Sequence, residues 1–100
     1  MIIIGFTSHP LQSADQMVKR ATEIPRVPDY IKGKGNYSYV THKGGAQSIQ
    51  IYEFDDSKYE EAFDAIGKAY RAFYDIPGFK FDFRMAVKTR EAVKKYLESA

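Results

Sequence analysis

At 100 residues, with 44% hydrophobic and 28% charged side chains, the chain has the balance of a folded globular domain and the length for one hydrophobic core, which excludes native disorder and a second domain. A formal net charge of +2 is too small to argue for a nucleic-acid or membrane-surface partner. The absence of cysteine excludes disulfides, thiolate metal sites, thiol nucleophiles and redox switching, and it suits a reducing cytoplasm, the expected location.

Residues 2–7, with three Ile followed by Gly5 and Phe6, supply β-branched and aromatic side chains to both faces of a short central strand. The run lacks a basic leader and is too short for a signal peptide, and no stretch approaches the roughly 18 apolar residues that a membrane span needs. Ser13 with Gln16 forms a capping-box pattern, after which Ala14, Met17, Val18, Ala21 and Ile24 recur at helical spacing. Pro25 stops that helix. The stretch 25–35 contains two Pro and two Gly, the signature of a long loop that serves as a linker, a lid or an interface element.

Alternation over 37–42 and 47–54, with Lys43-Gly44-Gly45 between, predicts a β-hairpin. Ser57 with Glu60 is a second capping-box pattern, and a helix starting near Lys58 carries the stripe Tyr59, Ala62, Phe63, Ile66, Ala69, Tyr70 and Phe73. Pro77 and Gly78 end it. Phe79, Phe81, Phe83, Met85 and Val87 then alternate with Lys80, Asp82, Arg84, Ala86 and Lys88, the clearest strand signal in the chain. A last short helix runs from Thr89 to about Glu98, with Ala92, Val93, Tyr96 and Leu97 on a narrow apolar face.

This order predicts an α+β domain spanning residues 1–100: a ferredoxin-like βαββαβ unit with a four-stranded antiparallel sheet, two helices on one face and a short C-terminal helix. The last strand turns its Phe and Met side chains to the helices and Lys80, Asp82 and Arg84 to the uncovered face. An uncovered face that mixes tyrosines with Gln50, Arg84 and Asp82 suits a partner sheet or a small ligand better than bulk water.

On this element order, the hairpin at Lys43-Gly44-Gly45 and the closing strand Phe79–Val87, the chain resembles the dimeric α/β-barrel proteins, whose ferredoxin-like domains pack sheet to sheet around a cavity. The resemblance implies a homodimer. It covers nearly the whole chain but carries no catalytic motif, and such proteins include small monooxygenases, haem-degrading enzymes, isomerases and proteins without known activity.

The candidate ligand-binding residues are Arg84, Asp82, His42, Tyr39, Gln50 and Tyr52. Arg84 and Asp82 would form an anion-binding or acid–base set, or else a simple ion pair. His42 ends a strand beside Gly44 and Gly45, where backbone approaches a ligand closely. Tyr39 and Tyr52 would orient a substrate or serve as interface aromatics. No Glu-x-x-His or His-x-x-His spacing supports a metal, and no cofactor is expected. The segment 34–40 is similar to the RNP1 motif of RNA-recognition domains, but Asn36 is an insertion, the segment lies on the wrong strand, and Ile2–Phe6 lacks the paired aromatic, so nucleic acid is not an expected partner.

The expected function is therefore binding of a small aromatic or anionic molecule between the two sheets of a homodimer. If catalytic, the activity would be of cofactor-free monooxygenase or isomerase type. The alternative is a non-catalytic regulatory or protein-interaction module.

Overall fold

The apolar run near the start of the chain forms β1 (Ile2–His9), onto which the rest of the sheet is built. The structure is a computed structural model that describes residues 1–99. A single 3-10 turn (Leu11–Ser13) leads into α1 (Ala14–Glu23), and residues 24–31 return the chain to β2 (Lys32–Thr41). A tight turn joins β2 to β3 (Gly45–Glu53). After a 3-10 turn (Asp56–Lys58) come α2 (Tyr59–Arg71), β4 (Lys80–Ala86) and α3 (Thr89–Ser99). The strands lie in the order β2-β3-β1-β4 and every neighbouring pair is antiparallel. This is an α+β, ferredoxin-like fold. No helix among the described residues is long and apolar enough to cross a membrane.

Three local features differ from the sequence expectation. β2 begins at Lys32 rather than near Tyr37, because the glycines of the supposed loop lie inside the strand, where the register against β3 shifts between Gly33 and Gly35. Ser13 makes no capping hydrogen bond to α1. Its buried hydroxyl instead donates to the Pro77 carbonyl at 2.7 Å and ties the start of α1 to the segment before β4. Ahead of α2 the cap is Asp55, whose Oδ1 accepts from the Ser57 amide at 2.9 Å and from the Ser57 hydroxyl at 2.7 Å.

The core sits under α2. Ala62, Ile66 and Tyr70 bury against Ile3 and Phe54, and Ile31 closes the side. The aromatic stripe of α2 meets that of β4 at steep angles, tilted for Tyr70–Phe83 with ring centroids 4.8 Å apart and edge-on for Phe63–Phe83 at 6.1 Å. α1 has no buried residue. It is held at its C-terminal half by Arg20, whose Nη1 and Nη2 reach the two Asp75 carboxylate oxygens at 2.7 and 3.1 Å, and which also donates to the Ala72 carbonyl. α3 buries nothing either, and Val93, Tyr96 and Leu97 stay exposed along it. The molecule measures 50 × 31 × 18 Å.

Candidate functional site

Alternation along β3 sets Ile49 and Ile51 on one face and Ser48, Gln50 and Tyr52 on the other. Pairing with β1 decides which face meets the helices. Tyr52 stands opposite buried Ile3, Gln50 opposite Gly5 and Ser48 opposite Thr7, so the isoleucines turn to the open side. β2 follows the same register, with Asn36 opposite Gln50 and Ser38 opposite Ser48. The sheet surface beneath α1 is therefore made of Thr7, Asn36, Ser38, Ser48 and Gln50.

Above this polar floor, α1 and the residue after it present Met17, Val18, Ala21 and Ile24. An apolar stripe does not close directly on hydroxyl and amide groups, since burying such a group without a partner costs about 1–3 kcal/mol. The two surfaces stand apart around a cleft of about 640 Å³, within the usual range of roughly 300–1,000 Å³ for small-molecule sites. Phe73 and Phe79 add aromatic wall. Pro25 and Arg26, from the segment that follows α1, form one side of the cleft. Among the described residues no Asp or Glu lines the cleft, and Arg26 forms no ion pair.

A row of hydrogen bonds crosses the floor. Tyr70 Oη donates to Gln50 Oε1 at 2.5 Å and lies 2.9 Å from Tyr52 Oη, while Gln50 Nε2 donates to Asn36 Oδ1 at 3.3 Å. With the Tyr70 proton given to Gln50, Tyr52 is the donor to Tyr70. Burial pushes the pKa of both phenols up, that of Tyr70 far out of the accessible range. Both therefore stay protonated and act as hydrogen-bonding groups, not as general bases near neutrality.

The six residues singled out from the sequence divide between the two faces. Gln50 and Tyr52 line the cleft, a correction to their expected place on the uncovered face, and the cause is the β1–β3 register. Arg84 and Asp82 do lie on the uncovered face, where Arg84 Nε meets Asp82 Oδ2 at 2.9 Å and both side chains are solvated. Tyr39 is also there, donating to Gln47 Oε1 at 2.9 Å. His42 is exposed in the β2–β3 turn. Arg84, Gln50 and Tyr52 thus do not converge on one cavity. Reading the sequence missed Asn36, Ser38, Ser48, Tyr70 and Arg26; the available signal was the run of small polar residues at alternate strand positions that a helix has to cover.

The uncovered face is more apolar than expected. Ile4 pairs with Ile51, Phe6 with Ile49, and Ile49 with Tyr37, in one continuous band bordered by Arg84 and Asp82 on β4. Tyr37 is 62% exposed and Tyr39 46%. No cluster of three or more metal-ligating side chains occurs among the described residues. No family model, no curated protein and no solved structure matches the chain.

Proposed function

We propose that the chain is a small-molecule-binding protein that works as a homodimer, with an amphipathic aromatic anion held in the cleft under α1 and the two copies packed open face to open face, as in the dimeric α/β barrels. The carrying observation is the polar floor of Asn36, Ser48 and Gln50 beneath the apolar side of α1. A flat aromatic body would lie against the mutually packed Phe73–Phe79 pair, whose ring centroids are 5.5 Å apart, with Met17 also lining the cleft and Arg26 supplying the charge for an acid group. The seat lies on the helix side of the sheet, and the apolar band on the other side is left for the partner.

Surface area supports the dimer. The accessible surface is 7417 Å², against about 5,800 Å² for a typical folded monomer of this mass. The excess of about 1,600 Å² per copy matches what obligate homodimers bury, roughly 2,000–5,000 Å² in total. The radius of gyration, 15.5 Å, likewise exceeds the value of about 13 Å usual at this length.

Calorimetric titration of the full chain with 2-naphthoate tests the cleft. Saturable binding is expected, lost in Ser48→Leu, which fills the floor, and weakened about fivefold in Arg26→Gln, the equivalent of one exposed charge contact. Binding that persists unchanged in Ser48→Leu would place the ligand elsewhere and overturn this reading.

A further inference from the structure

Both histidines lie at one end of the sheet, although they are far apart in the chain. There β1 ends at His9, the β2–β3 turn carries His42 and Lys43, and β4 begins at Lys80; together they border a second cavity of about 550 Å³ that shares no lining residue with the cleft. No Asp or Glu lines it among the described residues. None of the four basic side chains is in an ion pair there. The carboxylate further along β4, Asp82, is engaged by Arg84 at 2.9 Å. Two lysines and two imidazoles thus border one space with no carboxylate in its lining, and an anion there would answer the lysine charges and accept hydrogen bonds from the ring nitrogens.

The wall is also built. Thr41 Oγ1 accepts from the Gly44 amide at 2.8 Å and from Gln47 Nε2 at 3.4 Å, which fixes the turn. Gly45 has φ 70°, and a Cβ there would stand 2.4 Å from the His9 carbonyl oxygen, so the turn backbone presses directly on the end of β1.

We propose that this pocket binds a small oxyanion of two negative charges, either free or as the monoester of a small alcohol. Lys43 and Lys80 supply fixed charge. His9, where β1 ends, and His42, in the β2–β3 turn, border the same space, and Asp82 lies further along β4 from Lys80. The test is a titration of the full chain with sulfate, which stays doubly charged throughout, at low ionic strength and followed by NMR of the histidine rings and backbone amides. Saturable shifts at His9, His42, Gly44 and Gly45 are expected. The double variant Lys43→Ala/Lys80→Ala, with an otherwise unchanged spectrum, is expected to bind about tenfold more weakly. Glycerol 2-phosphate separates the two sources: tighter binding than sulfate assigns the monoester, equal binding the free ion. Linear, non-saturating shifts, or a double variant that titrates like the parent chain, would overturn the proposal.

Discussion

The phenol tip of Tyr70 rests against the backbone of Gly5: a Cβ at residue 5 would stand 2.5 Å from the Tyr70 hydroxyl and 3.0 Å from the ring carbons beside it. A glycine in mid-strand commonly marks such a close approach. This contact sets the height of Tyr70 over the sheet, and with it the hydrogen bond to Gln50 that closes the inner end of the cleft. Gly5→Ala is expected to push the ring outward and to cost about 1–3 kcal/mol, as overpacking in a filled core does. Urea denaturation should show a lower midpoint with an unchanged slope.

Tyr70→Phe leaves the ring in place and removes only the hydroxyl, so Gln50 Oε1 loses a donor and Tyr52 loses its acceptor. The expected loss of stability is about 1–3 kcal/mol. An alkaline signature accompanies it. Because burial raises the Tyr70 pKa above the ordinary value of 10.0, the unfolded chain releases that proton near pH 10 while the folded chain keeps it. Stability is thus constant below that pH and falls above it, by about 1.4 kcal/mol per pH unit from this group. Equilibrium unfolding between about pH 9 and 11 should show a shallower fall for Tyr70→Phe than for the parent.

Arg20 holds the Asp75 carboxyl below the ordinary carboxylate value of 3.8, chiefly through their hydrogen bond. The folded state therefore binds this proton less readily than the unfolded state. The contribution is complete above that pH and is lost as the pH falls through the depressed value. Both side chains are solvated, so the effect is small and shrinks with added salt. Asp75→Asn should flatten this part of the acid unfolding profile and increase hydrogen exchange in α1, the helix that the pair anchors.

Ile51→Lys places a charge in the middle of the apolar band on the open face, opposite Ile4. Sedimentation at micromolar concentration should show a dimer for the parent chain and a monomer for the variant, with the far-ultraviolet circular dichroism unchanged. A parent chain that sediments as a monomer contradicts the proposed assembly.

The parts of the fold that were legible in sequence are those where hydrophobic pattern and tertiary role agree. β4 alternates Phe81, Phe83 and Met85 with Lys80, Asp82 and Arg84, and the first set faces the helices as the pattern requires. The stripe of α2 is equally plain, with Ala62, Ile66 and Tyr70 all buried. β3 is different. Its two faces carry Ile49 and Ile51 on one side and Tyr52, with Phe54 just beyond the strand, on the other, so hydrophobicity favours neither. Burial of Phe54 in the core decides the register, and the amides and hydroxyls follow it to the helix side. The cleft was hidden for that reason. The pairing of His9 with Ala46, which brings the two histidines to the same end, depends on the same register and leaves no local trace in the chain.

β3 is consequently a strand whose numbering has a meaning. Its even positions, Ser48, Gln50 and Tyr52, look into the cleft, and its odd positions, Ile49 and Ile51, look to the open face. Under the proposed assembly, a saturation scan of this strand should separate by parity, even substitutions altering ligand affinity and odd ones altering association. A one-residue insertion in the His42–Gly44 turn that slid β3 along its neighbours would exchange the two sets at a stroke, setting amides against the partner and isoleucines beneath α1. Selection on the length of that turn should therefore be far stricter than selection on its side chains.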